Sequence, residues 1–310
     1  MTAKAELSVL VYDVGGSHVA AAVCHPDTYR LGPVVTAPHP NEQTSNAFVG
    51  LLHSLGMRAS AGLEPVAGAE LAFPGPFDFA AGVSHMKHKL PYLFSVDLRQ
   101  EIAGRFDWEP GQVRFLHDSA AFLLGEIGGG AARGVERAVG ITLGTGIGSA
   151  FAVDGRVVTE GCGVPPGGEI WDLPYEGGII EDSVSTRGIR GSYERRTGHA
   201  REVAELAKAV DTDPAAAEAF AEFGRHLGLA LRAALAAFAP QVIVLGGGIS
   251  RSPQLFLPAA QRELETLGAE FRVSALLDDA PLVGAGVEWF NRPNGSSLQS
   301  IGEATHIGAD

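Results

Sequence analysis

Residues 10–23 read LVYDVGGSHVAAAV. An apolar, β-branched run meets Asp13, turns on Gly15 and Gly16 beside Ser17, and leaves as a second apolar run, the pattern of strand, tight turn, strand. Glycines let backbone N–H groups face a ligand with no side chain in the way, which suits phosphate oxygens. A carboxylate at the mouth of that turn would repel phosphate. Asp13 makes sense there if a divalent cation such as Mg²⁺, or its water, lies between the two. An ordinary hairpin accounts for the same residues when they are taken alone. The pattern returns at 138–158, AVGITLGTGIGSAFAVDGRVV, with a turn through Gly144, Thr145 and Gly146 and then Asp154-Gly155 as a second hairpin turn. A third glycine turn, through Gly247 and Gly248, follows the buried strand in QVIVLGGGIS, 241–250. Three such turns in one α/β chain favour a nucleotide cleft. None has the P-loop pattern or the dinucleotide fingerprint.

Working outward, PVAGAELAFPGPFD (65–78) reads as a strand running into a Pro/Gly turn at Gly75. In SVDLRQEIAGRF (95–106), Asp97 is the expected N-cap of a helix. GQVRFLHDSAAFLLGEIGGG (111–130) is a short strand followed by a helix from near Asp118 to the glycines, and 214–239 carries the longest helical pattern. The repeat suggests two related α/β domains facing one another: 1–118, 119–292, and a polar tail, 293–310, expected to be disordered or loosely docked.

At 310 residues the chain exceeds what one core usually serves. It is 45% hydrophobic and 19% charged, as for a soluble globular protein, and its apolar runs are too short to cross a bilayer. The start, MTAKAELSVL, lacks a signal-peptide core, so a cytoplasmic protein is expected. Net charge is −13 with no Lys/Arg block, which argues against a nucleic-acid partner. Cys24 and Cys162 are too few for a four-ligand zinc site. Cys24, closing an apolar strand, reads as a buried thiol.

The motifs in order resemble those of the ROK sugar kinases, within the actin-like ATPase superfamily, over about residues 8–290. DVGGSH is similar to the first phosphate loop, FPGPFD to a Pro-Gly-Pro segment, HDSAAFLLGE to the catalytic Asp motif and LGTGIGSA to the second phosphate loop. GGEIWDLPY resembles a sugar-binding Gly-Glu-Ile-Gly-His segment, EDSVSTRGI the stretch after a zinc loop, VIVLGGGIS the nucleoside-side motif and LVGAG the closing one. The resemblance implies two ribonuclease H-like domains flanking a cleft, and ATP- and Mg²⁺-dependent phosphorylation of a sugar or sugar-like polyol. It implies Asp118 as general base, Gly75, His117, Glu169, Asp172 and Glu181 about the sugar, and a homodimer. Where a strand passes into a helix, the helix N–H groups also favour an ionised Asp118, which would equally serve as an N-cap.

Three departures stand out. His117 replaces the family's Asn, as a reshaped sugar ligand or a structural histidine. Asp172 replaces its His, as a hydroxyl ligand or a solvated loop carboxylate. The Cys-rich loop has shrunk to PYEGGII (174–180), so no structural zinc is expected. Glu169 and Glu181 remain as a carboxylate pair able to accept from vicinal hydroxyls, unless they are surface charges. The alternative to an enzyme is a sugar-sensing regulator or binding protein on the same fold. The donor could also be polyphosphate.

Overall fold

The computed structural model describes residues 7–292 apart from positions 41, 64 and 162; the tail at 293–310 and Cys162 lie outside the described residues. The opening stretch forms the expected hairpin. Strands β1 (Val9–Val14) and β2 (His18–Cys24) run antiparallel, pairing Val9 with Cys24 and Val14 with Val19. β3 (Val35–Pro38) pairs antiparallel with β2, while β4 (Ala69–Phe73) joins β1 in parallel and β5 (Val113–His117) joins β4. The order is β3-β2-β1-β4-β5. A second sheet repeats the plan with β6 (Arg137–Leu143), β7 (Ile147–Val153), β8 (Arg156–Val158), β9 (Val242–Gly246) and β10 (Glu270–Val273), in the order β8-β7-β6-β9-β10. Here too the first three strands are antiparallel and the last two join in parallel. The faint sequence repeat is therefore a repeat of topology. β1, β4 and β9 are almost continuously buried, because both faces of each sheet are covered.

The main helices are α1 (Ser45–Ala59), α2 (Leu98–Phe106), α3 (Asp118–Gly129), α4 (Thr186–Thr197), α5 (Pro214–Leu235), α6 (Leu257–Leu264) and α7 (Ala280–Asn291). Asp97 caps α2 as expected, accepting from Gln100 N at 3.0 Å. α1 and α2 bury Phe48, Leu52, Leu55 and Ile102 with Leu10, Tyr12 and Leu71 of the first sheet. α5 turns Phe220, Phe223, Leu227 and Leu231 onto Val139, Ile141 and Leu245 of the second. No described helix is long and apolar enough to cross a membrane.

The middle layer exchanges helices between the two halves of the chain. α3 follows the first sheet but packs Phe122 and Leu123 on Ala138, Ala150 and Val244 of the second. α7 follows the second sheet but packs Leu282 and Ala285 on Val9, Val11 and Ala72 of the first. The two helices meet at glycines: a Cβ at Gly284 would collide with the carbonyl of Ala121, and one at Gly125 with the carbonyl of Ala280. That close approach is the physical content of the LVGAG stretch.

Candidate functional site

β5 ends in His117 and α3 begins with Asp118. The Asp118 Oδ1 atom accepts from Ser119 N at 2.6 Å and from Ser119 Oγ at 3.2 Å. All described hydrogen bonds to this carboxylate fall on Oδ1, so Oδ2 keeps its accepting capacity. His117 caps the same helix: its Nδ1 accepts from Ser119 N at 3.3 Å and stands 3.2 Å from Asp118 Oδ1. The His117 Nε2 lies 3.5 Å from Glu169 Oε1, and a Cβ at Gly75 would stand 3.5 Å from it. One ring nitrogen thus caps the helix while the other faces Glu169 and Gly75.

Glu169 sits on a bend that buried Ser149 of β7 holds: Ser149 Oγ donates to Gly168 O at 2.7 Å and accepts from Ile170 N at 3.1 Å. Its Oε2 accepts from the Trp171 indole N–H at 2.8 Å. The Trp171 carbonyl in turn accepts from Glu181 N at 3.0 Å. Glu181 Oε2 accepts from Ile147 N at 3.3 Å, next to Gly146. Contacts therefore run without a break from Asp118 through His117, Glu169, Trp171 and Glu181 to the second glycine turn. Asp172 is outside this path: it is exposed, and no hydrogen bond or ion pair joins it to other described residues.

The three glycine turns lie at the carboxyl ends of β1, β6 and β9, the edge where open α/β sheets place ligands. The third packs directly on the second: Gly247 has φ +82°, and a Cβ there would strike the backbone of Leu143. Gly16, Gly144 and Gly248 have open space where a Cβ would project, while Ser17 and Thr145 are exposed. Asp13 is half-buried at the first turn, and its carboxyl is pushed up to about 7, first by burial and then by the like charges of Asp118 and Asp278. A cation would relieve that repulsion. Among the described residues no three His, Cys, Asp or Glu side chains group to hold a metal, so Asp13 fits an ion completed by water and phosphate oxygens, the usual habit of Mg²⁺.

Four further residues shape the site without having stood out in the sequence. Asp278 enters from beyond β10, far along the chain from Asp13. Glu126, buried on α3, pins that loop by accepting from Ser274 Oγ at 2.5 Å, Leu276 N at 3.1 Å and Ala275 N at 3.2 Å. Ser149 carries no local signal. Trp171 had one, since it stands where the resembled Gly-Glu-Ile-Gly-His segment has glycine. The shortened PYEGGII loop forms a small hairpin, Pro174–Tyr175 with Gly178–Ile179, moored to α5 by a 2.8 Å hydrogen bond between Tyr175 and His226 Nδ1. A cavity of about 310 Å³ between α5 and α6 shares none of the site residues.

A glucokinase of Thermotoga maritima is 30% identical over 246 residues, 68% of this chain and 75% of that enzyme. The structure of a ROK hexokinase from Thermus thermophilus superposes with a TM-score of 0.77 at 27% identity, covering 91% of this chain and 97% of that one. A Streptomyces griseus ROK glucokinase, solved with glucose and AMPPNP, superposes at 0.75 with 21% identity over 90% of this chain and 98% of its own. The ROK family model matches residues 9–290, nearly the whole described chain with both sheets and every site residue, and the chain belongs to the ROK family.

Proposed function

We propose that this ATP-dependent carbohydrate kinase transfers the γ-phosphoryl group to a hydroxyl of a hexose or sugar-like polyol, with Asp118 as general base. The observation that carries the reading is the unbroken path from Asp118 through the two sugar-side carboxylates to the second glycine turn. Ser119 holds Oδ1, leaving Oδ2 to take the hydroxyl proton as the oxygen attacks. Glu169, Glu181 and His117 Nε2 orient the hydroxyls, and Gly75 leaves room beside the imidazole. The amides about Gly15, Gly16, Gly144 and Gly146 face the phosphates, with Gly247 and Gly248 on the nucleoside side. Mg²⁺, held through Asp13 and water, would neutralise charge on the transferring phosphates. Residues 1–118 and 119–292 supply the two lobes, α7 riding on the first. The protein works in the cytoplasm as a homodimer, by family analogy.

The test is ADP release from Mg-ATP across hexoses, amino sugars and cyclitols, repeated with polyphosphate as donor. Turnover on at least one polyol is expected. Tight sugar binding with no turnover from either donor would support the sugar-sensing alternative instead.

A further inference from the structure

Trp171 joins both sugar-side carboxylates: its carbonyl accepts from Glu181 N at 3.0 Å, and its indole N–H donates to Glu169 Oε2 at 2.8 Å. The indole edge is thereby fixed at the site. The residue nonetheless stays 39% exposed, a large apolar surface left open beside hydroxyl acceptors. Its exposure is not explained by packing, because the adjacent Ile170 is wholly buried and anchors the loop. An aromatic face carries negative charge density, and the C–H bonds of a sugar ring, polarised by neighbouring oxygens, complement it. The indole N–H takes one accepting site of Glu169 Oε2, while Oε1, toward His117, accepts no hydrogen bond from the described residues and is the freer oxygen for a substrate hydroxyl.

Resting on the carbohydrate-kinase reading above, we propose that Trp171 is a substrate-binding residue. It selects polyols with a six-membered ring, pyranose or cyclitol, by taking their apolar C–H face while it fixes the orientation of the Glu169 carboxylate. The class follows from the chemistry of the pair: a flat apolar face for the indole, and a rim of hydroxyls for the carboxylates and imidazole. An open-chain polyol offers the rim without the face.

The experiment uses the full chain and the variants Trp171→Phe, which keeps a ring but loses the N–H, and Trp171→Gly, which loses both. The probes are D-glucose, N-acetyl-D-glucosamine and myo-inositol, with sorbitol as the open-chain control. Tryptophan emission is read on titration, with Trp108 and Trp289 as the constant background. A ring polyol should shift emission in the wild type and not in Trp171→Phe. For that polyol KM should rise about ten- to a hundredfold in Trp171→Gly, and less in Trp171→Phe, with a smaller change in kcat. Circular dichroism checks the fold, and the milder Phe variant decides if the Gly variant is unfolded. Unchanged KM in folded variants, an emission shift that survives Trp171→Phe, an equal response to sorbitol, or no response to any ring polyol would overturn the assignment. Absence of turnover with ATP or polyphosphate, alongside an emission shift lost in Trp171→Phe, would overturn the kinase reading and leave the Trp171 contact standing.

Discussion

Asp118 has the division of labour a general base needs, one oxygen immobilised by Ser119 and the other available. Asp118→Asn keeps the size and leaves the His117 cap in place but removes basicity. Turnover should fall by about two to four powers of ten while ATP binding and thermal unfolding stay near wild type, readable by steady-state kinetics, calorimetry and differential scanning. Near-normal turnover in a folded variant would remove Asp118 from the role. Away from the site, Glu70 of β4 is fully buried, and neither carboxyl oxygen has a hydrogen-bond partner among the described residues. Burial pushes its carboxyl up to about 8, with Arg292 the foremost of the charges that offset the effect. Between the ordinary carboxyl value and pH 8 the folded chain keeps a proton the unfolded chain has released. Stability therefore falls as pH rises through that window and levels off above it. Glu70→Gln should flatten the dependence: urea unfolding at pH 5 and pH 8 should show the wild type losing more than the variant by over about 1.4 kcal/mol, the free energy of a tenfold difference in proton affinity between the folded and unfolded chain. Equal losses would contradict this. Motif reading recognised Asp118 because its type and setting are local. Glu70 was not legible, because nothing in the sequence shows that its strand position is sealed by α7.

At the scale of elements, the crossing of α3 and α7 fixes where Asp118 stands. α3 begins at Asp118 and lies on the second sheet, and α7 ties it to the first. Because Gly284 faces the carbonyl of Ala121 on the opposing helix backbone, no side-chain rotation can relieve an added Cβ. Gly284→Val should destabilise the fold by about 1–3 kcal/mol or more, an overpacking cost, and lower kcat as α3 shifts. A Gly104→Val control, on α2 with open space where its Cβ would project, should leave stability unchanged or raise it by about 0.5 kcal/mol, because valine is the better helix former. Denaturation midpoints of the pair decide it; equal losses would rule out the close crossing. The two glycine-turn hairpins, β4, β5, β9, the helices α2 and α3 and the long α5 were visible in period and capping residues, whereas β3, β10, α1, α4 and α6 were not read. The helix exchange was not, because an apolar helix face records that it is buried and not which sheet buries it.

At the scale of the molecule, the chain passes between the sheets at 117–118 and again before α7. Two such crossings permit the lobes to pivot. Sugar bound between them should draw them together and exclude water that would compete as nucleophile. Small-angle scattering should give a smaller radius of gyration with sugar and a non-hydrolysable ATP analogue, and hydrogen exchange near 117–118 should slow; no change in either would argue for a rigid cleft. By itself the sequence determined the duplicated strand–turn–strand units, the three glycine turns, an aspartate at a strand-to-helix junction and the family, because each is written in local periodicity, turn chemistry and motif order. Only the tertiary structure decided that His117 caps α3 while its other ring nitrogen faces Glu169, that Asp172 stands apart, that Asp278 and Asp118 press on Asp13, and that Trp171 binds Glu169 to Glu181. Those are contacts between stretches far apart in the chain, set by how two sheets and two crossing helices pack, and no local pattern encodes them.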